Sequence, residues 1–330
     1  HEALRWWDRW LKNEKTNVEN DPAYTVYLMD GVEPKSSYDY RKGQWVSFDQ
    51  WPAQLPIKTL NLNKDFGLRK QKENVRKIIS SPQTCGLDGG EYCAIWLGPD
   101  LPGDQRIDDV NSATFTTEEL TKQIDIVGAP RVKLKLRPTT STAQISVRLN
   151  HIHPTGASTR ITYGVFNLGY VDGFDNPRKL RKGETISIEF NLDQIAYSVS
   201  KGHKIRLSIS NAYWPLLWPT PEKGAIEVIA GSIDIPFIKD GLYNFRQFLP
   251  EKADEPWKTK TIRKPTNTRK VIRNIGSDEV TVEIVDDFGS VRDLTHDLEI
   301  GSIAREWWTI QPDDPLSANG RTHWTEAVSY

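Results

Sequence analysis

KGHKIRLSISNAYWPLLWPTP, residues 201–221, has two halves of opposite character. From Lys204 to Ser210 the side chains alternate. Ile205, Leu207 and Ile209 face one way, and Lys204, Arg206, Ser208 and Ser210 the other. A period of two marks a strand with one buried face and one wetter face. Gly202 and His203 supply the turn before it. The pattern then breaks into NAYWPLLWPTP, where three prolines block both helix and ladder pairing. Tyr213, Trp214 and Trp218 make this a stiff aromatic loop at a strand end. Such a loop either plugs its own core or caps something beside it.

Outward from this strand the same pattern repeats. Strands are expected near residues 24–29, 60–62, 113–115, 123–126, 132–136, 145–149, 159–168, 185–190, 225–230 and 232–237, and residues 44–51 form a Trp-bearing segment stopped by Pro52. More are expected near 270–275, 280–285, 302–310 and 321–330. Even spacing, Gly and Pro punctuation and the lack of a helical period argue for an antiparallel sandwich. Residues 194–197 are expected to form one helical turn, 64–77 a charged surface excursion, and 250–265 a charged crossing that contains proline. Residues 80–109, SSPQTCGLDGGEYCAIWLGPDLPGDQRIDD, are irregular and too long for an idle connection. Ordered loops of that length usually carry function or pack over a neighbour. No internal repeat is visible.

The helical period is confined to the start, in EALRWWDRWLK (Glu2–Lys12). At 100° per residue, Ala3, Leu4, Trp6, Trp7, Trp10 and Leu11 share one arc. So short a helix is marginal alone, and its three Trp need something to pack against. The chain therefore reads as cut from a larger protein or as needing a partner. Residues 13–22 form a polar linker.

Bulk properties narrow the classes. The 330 residues suffice for one large domain or two ordinary ones. A net charge of −1 and the lack of a basic stripe argue against nucleic-acid binding. No apolar run reaches the roughly 20 residues that span a bilayer, and there is no signal-peptide pattern. Only 37% of residues are hydrophobic, yet 12 are Trp, as suits a thin sandwich with a few bulky anchors. Cys85 and Cys93 show neither CxxC spacing nor a disulfide framework. Free thiols point to a reducing compartment, the cytoplasm.

Two clusters could carry chemistry. His151-x-His153 places two imidazoles on one strand face, as in metal-binding cupins, but no third ligand comes within a few residues. A cupin-like metal enzyme is thus a second alternative, and no metal or cofactor is assigned. Asp100, Asp104, Asp108 and Asp109 match no EF-hand spacing. Turn capping and pairing with Arg106 are expected of them.

Several segments resemble a known family. Glu2–Lys12 is similar to the helix that closes the α/β-hydrolase domain of the CocE/NonD hydrolases, relatives of X-prolyl dipeptidyl peptidases and α-amino-acid ester hydrolases. Residues 81–93 (SPQTCGLDGGEYC) and 98–109 (GPDLPGDQRIDD) resemble its long loops. Residues 156–168, 202–222 and 305–324 resemble its jelly-roll domain and the segment C-terminal to that domain. The resemblance implies a mainly β fold, a galactose-binding-like jelly-roll sandwich preceded by one amphipathic helix. The divisions expected are 1–22 (closing helix and linker), 23–250 (jelly roll) and 251–330 (C-terminal β extension).

The family's chemistry is acyl transfer by a Ser-His-Asp triad with Ser on a GxSxG elbow, and no GxSxG occurs here. The triad is expected upstream, so no residue of this chain is assigned as catalytic, His1 included. The resemblance implies a substrate-enclosing domain that packs on an α/β-hydrolase domain of the same or a separate polypeptide. Its substrates would be small esters, amides or peptides. Candidates for the enclosing wall are Tyr213, Trp214, Trp218 and Trp96, with Asp100 and Asp104. Candidates for domain packing are Leu4, Trp6, Trp7, Trp10 and Leu11, which could also drive homo-oligomer formation. The first alternative function is a stand-alone carbohydrate-binding jelly roll that stacks sugars on exposed Trp.

Overall fold

The computed structural model describes residues 1–51, 54–94, 98–239, 241–248 and 253–330. Its centre is a β-sandwich. One layer has four antiparallel strands in the order Ser158–Asn167, Gln144–Ile152, Lys204–Ser210, Ala113–Thr116. The facing layer is larger. Its main path runs Ile186–Asn191, Arg131–Pro138, Ile226–Ile238, Ile124–Gly128, Ile195–Val199, Tyr24–Asp30, Gly43–Phe48, Asn244–Phe245. Ile57–Leu62 and Lys77–Ile79 also pair with Ile226–Ile238. The alternation in residues 204–210 has the expected consequence: Ile205, Leu207 and Ile209 enter the core with Phe115, Ile145, Val147 and Leu149. They meet Ile126, Leu134, Leu136, Ile188, Val228 and Ile233 from the facing layer. Burial of this kind contributes about 25 cal/mol per Å² of apolar surface removed from water.

Four expectations are corrected. Residues 194–197 do not form a helical turn, because Ile195–Val199 is a strand between two neighbours. Tyr197 and Val199 face the main core and Ala196 a second cluster, so both faces are covered. Residues 225–230 and 232–237 form a single strand, Ile226–Ile238, with a bulge between Val228 and Ala230. Residues 64–77 are no mere excursion: Leu68 is buried, and Leu68–Arg69 pairs with Ile57–Leu62. Within residues 250–265, Thr259–Arg263 pairs with Val280–Asp293. The expected boundary at 250/251 lies outside the described residues.

A third sheet closes the chain, in the order Thr259–Arg263, Val280–Asp293, Leu298–Gln311, Asp314–Ser329, with Thr266–Arg273 also on Val280–Asp293. It meets the long loop. Arg269 pairs with Glu91 and donates to Gly90 O at 3.1 Å, and the Gln83 amide donates to Pro312 O at 2.8 Å.

Helix Glu2–Lys12 has no buried residue, and its usual polarity is inverted. Arg5, Asp8 and Arg9 are half-covered by the linker, where Arg5 pairs with Asp21 and Arg9 with Glu19. Leu4, Trp6, Trp7, Trp10 and Leu11 are all more than half exposed. Asn13, in the left-handed conformation, ends the helix.

Candidate functional site

Much of the outer face of the four-stranded sheet is covered. Arg148 and Asn150 point away from the apolar core, as do Arg206 and Ser208, and described residues of the long loop, among them Asp108 and Asp109, lie over them. Polar groups covered in this way must be paired. Asp109 does most of the pairing. It accepts from Ser208 Oγ at 2.6 Å and from Asn150 Nδ2, Ser158 Oγ and Arg206 Nη1 at 2.9 Å each. Asp108 accepts from the Gly86 amide at 2.7 Å and lies 3.6 Å from Arg148 Nη1. Burial pushes the Asp108 carboxyl above its usual range, with the Arg148 charge opposing. Asp88 is pushed up to about 6 by burial and by Asp108 and Asp104. Burial also pushes the Cys85 thiol up to about 11, so it is a protonated, inert group rather than a nucleophile.

The aromatic loop enters this layer from the side. Tyr213 and Trp214 are 0% and 1% exposed, so in this chain they plug the fold and present no face to a ligand. The Trp214 amide donates to Cys85 O at 2.7 Å. Gly86 permits that approach, since a Cβ there would stand 2.6 Å from Tyr213 C. Tyr213 Oη accepts from Arg160 Nη1 at 2.6 Å, and the Arg148 guanidinium lies 5.1 Å from the Tyr213 ring centroid. Trp218 is the exposed member, at 52%. It packs on Trp214 with centroids 5.3 Å apart. Trp218 also lines a groove of about 490 Å³ with Tyr170, Arg178 and Pro219.

The sequence-derived wall therefore divides. Trp218 O accepts from Gln144, at one end of Gln144–Ile152. Asp104 accepts from the Ser158 amide, and Ser158 pairs with Ile152 at the other end. Eight residues of strand separate these ends by roughly 25 Å. Asp104 also pairs with Arg106 at 2.8 Å, as expected, and Asp100 is half-buried. Trp96 lies outside the described residues.

A pocket of about 460 Å³ opens at the Asp104 end. Leu101 and Pro102, Tyr38 and Arg41, and Arg160 and Tyr163 line it. Arg41 lies 4.7 Å from the Tyr38 ring centroid and Arg160 4.3 Å from that of Tyr163. Cationic groups over aromatic walls suit a ligand that is part apolar and part anionic.

Beside this pocket stands a cluster that local sequence spacing did not reveal. His151 and His153 stack at 3.9 Å between ring centroids, and His203 joins them. His151 Nε2 and His203 Nδ1 share a hydrogen bond at 2.6 Å, and His151 Nδ1 and Tyr197 Oη another at 2.9 Å. His153 Nε2 and Thr159 Oγ1 are also 2.9 Å apart. Burial, then the charges of His153 and His203, depress His151 to about 3, so it is neutral at physiological pH. His153 is depressed too, again chiefly by burial. The third imidazole was missed because it comes from the turn before Lys204–Ser210, 50 residues further on. Ladder register carries the signal: Ile205 pairs with His151 and Lys204 with Ile152, which brings residue 203 beside 153.

These features describe a β-sandwich with long loops packed over it. The chain belongs to the family of X-Pro dipeptidyl-peptidase C-terminal non-catalytic domains, whose model matches residues 16–272. A Mycobacterium bovis protein provisionally described as a serine esterase is 24% identical over 275 residues, covering 72% of this chain and 41% of that protein. The chain thus spans about two fifths of the curated relatives it matches.

Among solved structures, an aminopeptidase from a marine sediment thaumarchaeon has a similar fold. Its TM-score is 0.55 at 17% identity, over 72% of this chain and 44% of that one. A CocE/NonD family hydrolase of Staphylococcus aureus gives 0.54 at 13% identity, over 72% and 45%. An α-amino-acid ester hydrolase gives 0.52 at 20% identity, over 59% and 39%. Among the described residues no helix is long and apolar enough to cross a membrane.

Proposed function

We propose that this chain serves as the accessory sandwich of a serine hydrolase that cleaves small esters, amides or peptides. The observation that carries the reading is the helix Glu2–Lys12, with five large apolar side chains turned outward on a chain of the non-catalytic family. An α/β-hydrolase domain, in the same or a separate polypeptide, would cover that face. The pocket beside Leu101 and Pro102 would then form part of the substrate enclosure, with Arg41, Arg160 and Tyr163 contributing surface and Asp100 and Asp104 shaping its loop. Tyr213 would act from beneath by holding Arg160. Trp214 would act through Trp218, at the far groove.

The test is to treat the purified 330-residue chain with a fluorophosphonate and follow intact mass and ester turnover. No adduct and no turnover are expected. One covalent adduct per chain, or turnover, would overturn the reading. The carbohydrate-binding alternative draws less support, since only Trp218 of the three Tyr213-loop aromatics is exposed.

A further inference from the structure

We propose that His151, His153 and His203 form a binding site for one divalent transition-metal ion of the zinc class. One ring nitrogen from each lies within 4.8 Å of the others. Zinc–nitrogen bonds of about 2.1 Å place tetrahedral ligands about 3.4 Å apart. The 2.6 Å contact of His151 with His203 is shorter than that, and the 4.8 Å outer bound longer. Binding would turn the stacked His151 and His153 rings so that a nitrogen of each points at the ion, and would exchange the His151–His203 hydrogen bond for bonds to it.

The surroundings suit this use. His151 is fully buried and His153 nearly so, while His203 is only half-covered and gives an ion a way in. The Tyr197 hydroxyl and the Thr159 hydroxyl hold His151 and His153 as an outer shell holds ligating imidazoles. Gly31 lets the adjoining loop close over the site, because a Cβ there would stand 2.6 Å from His151 Cε1. The Arg41 charge near His151 opposes a cation, and the charges of Glu33 and Asp104 near His153 favour one. Three imidazoles would leave a fourth position for water or a ligand atom, next to the pocket that Thr159 and Tyr197 help to line. The ion would tie the strand end at 151–153 to the turn at 203.

The experiment uses the chain without a histidine tag, stripped with a chelator and titrated with cobalt(II) and zinc(II) chloride. One equivalent of cobalt with the visible absorption of a four-coordinate nitrogen site is expected, displaced by zinc, with a raised melting temperature. His153→Gln and His203→Gln, checked for folding by circular dichroism, should each weaken binding roughly tenfold or more. A chain with His1→Gln, His296→Gln and His323→Gln should bind as the parent does. Absence of stoichiometric binding, binding unchanged in both cluster variants, or binding lost in the triple control would each overturn the proposal.

Discussion

Strand Gln144–Ile152 and helix Glu2–Lys12 are opposites. All nine residues of the strand are buried, although five are Gln, Ser, Arg, Asn and His. None of the eleven residues of the helix is buried, although three are Trp. Polarity by itself therefore does not decide what is inside this fold. The strand is covered because two layers serve it, the apolar core on one face and residues 104–112 on the other. The helix has only a polar linker, which takes its polar edge. The strand is covered on both faces within the chain, while the apolar face of the helix is left open among the described residues.

The sharpest way to break the contrast is to remove the group that lets polar residues lie inside. Asp109→Ala would leave three buried donors, on Asn150, Ser158 and Ser208, and the partly exposed Arg206 without this acceptor. A loss of about 3–5 kcal/mol in urea unfolding is expected, because each buried donor left unsatisfied costs about 1–3 kcal/mol. On the apolar side, Leu207→Ala should lose about 2–5 kcal/mol. If either variant unfolds like the parent, the loop layer or the core is looser than described.

A smaller effect concerns pH. Asp88 has a folded pKa of about 6, above the ordinary carboxylate value. The folded state therefore binds more protons between about pH 4 and 6, and stability falls as pH rises through that window. Asp88→Asn should remove this slope and raise stability at pH 7 by on the order of 1 kcal/mol, discounted for solvent screening. A pH series of unfolding curves for both proteins checks the sign.

The smallest stability effect belongs to the helix. Trp6→Ser, Trp7→Ser and Trp10→Ser should each change unfolding by less than about 0.5 kcal/mol, as exposed positions do. The triple variant should nonetheless lose self-association in sedimentation velocity, since exposed apolar patches associate. A large stability loss would mean that the helix packs on its own chain.

Much of the sandwich was legible because its strands obey a two-residue period. Residues 204–210 matched their strand end to end, and most other boundaries moved by a few residues. The features that were not legible depend on coverage from afar. Tyr213 and Trp214 read as a possible wall, yet they are enclosed because residues 85–89 pack against them. Residues 194–197 read as a turn because Gln194 and the apolar Ile195 and Ala196 show no alternation. A strand buried on both faces has none to show. His203 was invisible as a partner of His151 because only ladder register joins them.

The most direct measurement is amide hydrogen exchange of residues 2–12, in the 330-residue chain and in the full product of its gene. Fast exchange is expected in the chain alone, and strong protection where an α/β-hydrolase domain is present. Equal, fast exchange in a product that carries such a domain would contradict the docking role of the helix, as would strong protection in a monomeric 330-residue chain.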